Sequence, residues 1–330
     1  MNFFAVGVDI GGTHFSVGIV DRGGNLQVKK SLPIAVEPFE VIVKNIAETV
    51  LFLVNQMGLK IEENAGTGFG VPSTIDPRTK KLIFANNLSW LDKDLTEEYE
   101  TFIPGPVYIE NDADCAAFGE AMVDPEPSRN VLMITFGTGF GGGLVMDGKI
   151  FQGGDGFGIE PGHTVLVYGG RKCNCGNYGC VEAYASVSAL VERCREVMAS
   201  SPDTLMWENC INARNVRDLN LADGRTPFIA AKKGDKAAVE VLKEFTGMAG
   251  QAIANLITLF RPEKVIIGGG ICNEGDYFIA PLFEAAKRCI FGSGLMPMPF
   301  FNKARLGNDA GIVGAALLAI QRGTFTLSAQ

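Results

Sequence analysis

Three cysteines fall within eight residues, Cys173-Asn174-Cys175-Gly176-Asn177-Tyr178-Gly179-Cys180, and one of only two histidines in the chain, His163, lies just upstream. Three thiols and an imidazole make a complete tetrahedral donor set for Zn²⁺. A closed set leaves no position for a substrate, so the ion would be structural. Glu160 and Glu182 flank this cluster. They would either be presented to a polyol by the metal loop or be solvated loop acids. Glu110-Asn111-Asp112 ends an apolar run and opens a helical one, the position at which an α/β sheet exposes side chains to its binding crevice. Asp112 there can act as a general base and Asn111 as a hydrogen-bond partner for a hydroxylated substrate. Both residue types are also favoured helix N-caps.

Glycine supplies a second kind of chemistry. In Asp9-Ile10-Gly11-Gly12-Thr13 the absent side chains let backbone N–H groups approach phosphate oxygens. Thr13 adds a hydroxyl, and Asp9 a carboxylate able to hold Mg²⁺ or its water. Gly137-Thr138-Gly139 opens a glycine-rich turn over residues 137–143 that repeats this chemistry. Gly268 and Gly269 begin a third turn, 268–270, that could approach a nucleotide's ribose or α-phosphate. The alternative is that these glycines serve only turn conformation. The third turn does not fit GxGxxG followed by an acidic residue, which gives dinucleotide binding little support.

Periodicity predicts the elements that must carry these groups. Apolar runs at 4–8 and 15–20 around Gly11-Gly12 read as a hairpin, with a third strand at 26–32. Residues 37–59 carry apolar side chains at helical spacing. A strand at 66–71, a loop through Asn87 and Trp90, a strand at 107–110 and a helix at 113–122 complete a first α/β unit. The second half begins alike, with a strand at 131–136, the glycine turn and a strand at 144–146. Helices follow at 181–198 and 227–260, then a strand at 264–267 and helices near 277–291 and 311–321. The interval from Gly11 to Asp21 equals that from Gly137 to Asp147, ten residues each. Equal spacing suggests a duplicated α/β domain facing itself across a cleft.

Composition bounds the class. With 47% hydrophobic and 20% charged residues over 330 positions, the chain can bury a sizeable core, and disorder is excluded. A net charge of −8 disfavours phosphate backbones and anionic lipid, so neither nucleic acid nor membrane is an expected partner. The start lacks a basic n-region, and no signal peptide is expected. Eight cysteines then read as thiols or metal ligands in a reducing, cytoplasmic compartment.

Taken in order, DIGGT, ENDAD, the GTGFGGG turn, EPGH, CNCGNYGCVE and VIIGGG resemble the ROK family of bacterial sugar kinases over nearly the whole chain. The resemblance implies an α/β, actin-like (ribonuclease H-like) duplicated two-domain fold with an interdomain cleft. Residues 1–120 plus a C-terminal helix from about 308 to 330 would form the small domain, and 121–307 the large domain with the zinc loop. The implied activity is ATP-dependent phosphorylation of a hexose, glucose at its 6-hydroxyl, with Mg²⁺ and structural Zn²⁺ as cofactors. Fructose, mannose, allose or an N-acetylhexosamine are the alternative acceptors, and a non-catalytic sugar sensor is a further reading. Asp112 would be the base. Asn87, Asn111, Glu160, His163 and Glu182 would join it in contacting sugar. Asp9, Gly11, Gly12, Thr13, Gly137, Thr138, Gly139, Gly268 and Gly269 would face the nucleotide. His163, Cys173, Cys175 and Cys180 would hold zinc. Homodimers or homotetramers are expected. A repressor of the same family would need a DNA-binding helical segment ahead of Asp9, for which no room is expected. The chain departs from the family pattern at His14, Ser73, Asp114 and Pro161.

Overall fold

The structure is a computed structural model and describes residues 3–35, 37–85 and 88–328. The first stretch of chain runs β1 (Phe4–Ile10), β2 (His14–Asp21), β3 (Leu26–Pro33), α1 (Phe39–Gln56), β4 (Asn64–Val71), β5 (Thr74–Ile75), β6 (Leu82–Ala85), β7 (Trp90–Lys93) and α2 (Leu95–Glu100). It continues with β8 (Val107–Asn111), α3 (Asp112–Val123), β9 (Val131–Phe136), β10 (Phe140–Met146) and β11 (Lys149–Ile150). Then come α4 (Glu182–Ala185), α5 (Val187–Ser200), α6 (Thr226–Lys232), α7 (Lys236–Phe260), β12 (Lys264–Gly268), α8 (Asp276–Cys289), β13 (Phe300–Lys303) and α9 (Ala310–Ser328). Among the described residues no helix is long and apolar enough to cross a membrane.

The two large sheets have one topology. Their orders are β3-β2-β1-β4-β8 and β11-β10-β9-β12-β13, so each sets a third strand beside a second, a first, a fourth and a fifth. That repeat is the duplication that the two equally spaced glycine hairpins announced. The chain divides into two compact units. One holds residues 1–133, 143–159 and 305–330, the other 134–142 and 160–304. The first therefore extends past the expected boundary at 120 and takes in 143–159. Hydrogen bonds tie this segment to it: Gln152 Nε2 donates to Glu110 at 2.6 Å, and the Gly148 carbonyl accepts from Gln321 of α9 at 3.1 Å.

In the first unit, α1 buries Ile42, Val43, Ile46, Val50 and Leu53 against Val6, Val8 and Val17 of the sheet, the stripe that helical spacing requires. On the other face α9 approaches the strands too closely for side chains. A Cβ on Gly7 would collide with the Ile312 carbonyl, and one on Gly68 with that of Ala315. In the second unit Phe136 packs edge-on against Phe140, Phe245 and Phe278, at centroid distances of 5.1, 6.2 and 5.2 Å.

Several elements differ from expectation. The loop through Trp90 is in part a small antiparallel sheet, β5-β6-β7; Asn87 lies outside the described residues. The glycine-rich stretch 137–143 is a turn only to Gly139, after which Gly141 to Gly143 lie within β10. Gly143 is small because Ala117 of α3 occupies the space a Cβ would need. The helix expected at 181–198 breaks at Ser186, whose extended backbone and side-chain oxygen, accepting from the Ala189 amide, restart it as α5. The one expected at 227–260 breaks at Gly234, with φ +87°. Asp235 then caps α7 through the Ala238 amide at 2.7 Å.

Candidate active-site residues and metal centre

Register brings the acidic residues of the first unit to one sheet edge. β1, β4 and β8 run parallel, with Asp9 opposite Gly70 and Gly70 opposite Glu110, so their C-terminal ends present Asp9, Asn111 and Asp112 together. Gly311, at the start of α9, sits on Asp9: a Cβ there would lie 2.7 Å from the carboxyl carbon. Desolvation by this packing, with the Asp112 charge second, pushes the Asp9 carboxyl up to about 7. Burial likewise raises Asp112, against the pull of the Ala113 amide. The turn from Asp9 closes through Gly11 N–H to the His14 carbonyl at 2.8 Å. Gly12, Thr13 and His14 are exposed, and His14 Nδ1 lies 3.0 Å from Thr13 Oγ1.

Asn111 is the N-cap of α3. Its side-chain oxygen accepts from the Ala113 and Asp114 amides at 2.9 and 3.3 Å, leaving its NH₂ as the half that can donate to a ligand. Asp112 is the first helical residue. Sequence reasoning overlooked Glu110, which is only 4% exposed. Its carboxylate accepts from Gln152, from Arg322 at 3.2 Å and from the Asn111 amide at 3.2 Å. It thereby anchors the residue next to Asp112. Its burial in a strand was readable; partners so distant in sequence carried no signal. Ser73 also has a structural task, donating to the Phe84 carbonyl at 2.9 Å and so tying β5 to β6.

The second unit brings the four metal candidates together. His163, Cys173, Cys175 and Cys180 offer ligand atoms that all lie within 4.8 Å of one another. Cys173 Sγ is 3.8 Å from His163 Nδ1, and Cys175 Sγ is 3.6 Å from Cys180 Sγ. Ligands about 2.3 Å from a tetrahedral ion stand about 3.8 Å apart, so the donor set fits Zn²⁺. His163 Nε2 remains for a second partner. The knuckle is closed by the Cys173 amide on the Asn177 carbonyl at 2.8 Å, with Gly176 at φ +95°. Burial raises the Cys173 and Cys180 thiols, while the Asn177 amide lowers exposed Cys175.

Pro161 begins the short 3₁₀ turn Pro161–His163, where a fixed φ and a missing N–H cost nothing. Glu160, just before it, is exposed, and Glu182 opens α4.

A cavity of about 360 Å³ in the same unit is lined by Gly137, Thr138, Val187, Arg225, Gly270 and Glu274 among others. Glu274 receives Lys232 Nζ at 2.6 Å. Gly268 is buried inside β12, and Gly269, at φ +99°, has no room for a Cβ beside the Phe136 carbonyl. Of the third glycine turn, 268–270, Gly270 lines the cavity.

Comparison with known proteins gives the family. The ROK family profile matches residues 5–322. The chain belongs to the ROK family. A glucokinase of Streptomyces coelicolor is 35% identical over 316 residues, covering 95% of this chain and 96% of the relative. A glucokinase of Thermotoga maritima is 34% identical over 320 residues, covering 96% and 97%. Among solved structures, a ROK glucokinase from Streptomyces griseus in complex with glucose and AMPPNP superposes with a TM-score of 0.80 at 32% identity, covering 96% of this chain and 99% of the other. A ROK hexokinase from Thermus thermophilus gives 0.82 at 30%, covering 98% and 100%. The chain thus shares the actin-like two-domain α/β fold of ROK sugar kinases.

Proposed function

We propose that this ROK protein is an ATP-dependent hexose kinase that phosphorylates glucose at the 6-hydroxyl. The observation that carries the reading is Asp112: a partly buried carboxylate at the first position of α3, raised in proton affinity and two residues beyond Glu110, which the register sets level with Asp9. Family membership and the glucokinase relatives support it.

Phosphoryl transfer asks a protein chiefly to align its reactants and neutralise charge. Asp112 takes the proton from the attacking sugar hydroxyl; its raised proton affinity suits a base working near neutral pH. The Asn111 NH₂, Glu160, His163 Nε2 and Glu182 bind other sugar hydroxyls, and Asn87 is a further sugar contact. Gly11, Gly12 and the Thr13 hydroxyl face phosphate oxygens, as do Gly137, Thr138 and Gly139. Asp9 is the residue to hold Mg²⁺, which when bound neutralises phosphate charge. His163, Cys173, Cys175 and Cys180 hold Zn²⁺ as a structural ion. Eight free thiols support a cytoplasmic setting, and the family resemblance supports a homodimer or homotetramer.

The deciding experiment is ADP release measured over glucose, fructose, mannose, allose and N-acetylhexosamines. Glucose should give the highest kcat/KM. Asp112→Asn should cost at least 10³-fold in kcat while glucose still binds; wild-type turnover in that variant would refute the role of Asp112.

A further inference from the structure

Phe140, where the second glycine turn enters β10, is held on both sides by the loop that carries the metal ligands. Its amide donates to Glu182 Oε2 at 3.2 Å, and Glu182 follows the ligand Cys180 by two residues. Its carbonyl faces Gly162, the residue before the ligand His163, so closely that a Cβ on Gly162 would collide with it. Glu182 also fills the space beside Gly139, where a Cβ would strike Oε2. Its other oxygen lies 3.9 Å from Cys173 Sγ. The opposite end of the turn is tied too, since the Gly137 carbonyl accepts from the Val187 amide, at the start of α5, at 3.0 Å. A turn this exposed, containing two glycines in three residues, has few internal restraints. Besides the hydrogen bond from the Gly137 amide to the Gly139 carbonyl at 3.1 Å, the contacts named here come from the metal loop and the helix that follows it.

We propose that the metal loop sets the conformation of the Gly137–Gly139 turn, with Glu182 as the positioning residue, so that filling the Cys₃His site raises affinity for nucleotide. The inference rests on the reading of this turn as a phosphate contact. Its physical basis is preorganisation: a turn already ordered by its neighbours loses less freedom when a phosphate binds. Metal binding in such small loops is itself folding free energy, so an emptied site would release His163 and Cys180, and with them Gly162 and Glu182. Linkage makes the effect reciprocal, with nucleotide tightening metal binding by the same factor.

The test is titration of ADP with Mg²⁺, by calorimetry and without sugar, into full-length protein either loaded with Zn²⁺ or stripped and freed of chelator. Stripping should weaken ADP binding at least tenfold. In loaded protein Glu182→Ala should weaken it comparably, and stripping that variant should then add less than threefold. Glu182→Gln keeps an acceptor oxygen for the Phe140 amide and should bind ADP within threefold of wild type. Hydrogen exchange at the Phe140 amide, read without nucleotide, should quicken on stripping and in Glu182→Ala, and stay slow in Glu182→Gln. ADP affinity within twofold after stripping, or unchanged Phe140 exchange, overturns the coupling. Loaded wild type that binds no ADP at all instead overturns the nucleotide reading of the turn, and the Phe140 exchange still decides the coupling.

Discussion

Arg322 and Glu110, separated by 212 residues of chain, meet in an ion pair of 3.2 Å at the inner end of the residues that carry Asp112. The carboxylate is 5% exposed and the guanidinium 32%, so the pair is only half screened by water. Breaking it strands a charge in the protein interior, which costs more than the pair itself contributes. Arg322→Met should lower stability by about 1–3 kcal/mol, read as an earlier urea midpoint at constant m. Adding Glu110→Gln should recover part of that loss, because the orphaned charge is then gone. Strictly additive losses would mean that the two side chains are not coupled.

Asp9 should make stability fall as pH rises. Its folded carboxyl is raised from 3.8 to about 7, so between those values the folded protein binds more protons than the unfolded one, and stability drops as pH climbs through the window. Asp9→Asn removes that penalty. Without Mg²⁺ the variant should melt roughly 2–5 °C above wild type at pH 8 and show no advantage at pH 4. A gain of equal size at both pH values would point to packing instead.

Three glycines allow an ordered set of outcomes. Gly314 of α9 lies against the Cys115 carbonyl with no space for a Cβ, and Gly314→Ala should cost about 3 kcal/mol or more as the helix is pushed off α3. Gly58, at φ +66° with nothing nearby, should lose about 1 kcal/mol from backbone strain alone on changing to Ala. Gly247, exposed in the middle of α7 with nothing within 4 Å, should gain about 0.5–1 kcal/mol as Ala. Chemical denaturation of the three variants checks the order, and a reversed ranking of Gly314 and Gly247 would contradict the close contact between α9 and α3.

What could be read directly was local in the chain. The Cys173–Cys180 knuckle needs only eight consecutive residues, and both glycine hairpins announce themselves by apolar runs on either side of a turn. The break before α7 was written as Gly234-Asp235, a stop followed by a cap, but the apolar periodicity on both sides masked it. Strands β5, β6 and β7 have two to four residues each, too few to establish alternation. Glu110 was visible as part of Glu110-Asn111-Asp112, yet its role depends on Gln152 and Arg322, which reach it only through tertiary folding. The third glycine turn likewise divides only in the folded chain: Gly268 ends β12, and Gly270 lines the cavity.

The position of α9 bears on how the protein is made. The groove over Gly7, Gly68 and Gly119 is shaped for a helix that begins at Ala310, so the first unit to leave the ribosome is the last to be finished. Synthesis at about 5–20 residues per second puts roughly 10–40 seconds between the end of α3 and the arrival of α9. Throughout that interval one face of the first sheet stays uncovered, while residues 160–304, most of the second unit, are being made. Completion therefore runs against the direction of translation, and the nascent first sheet is the stretch most exposed to chaperone capture.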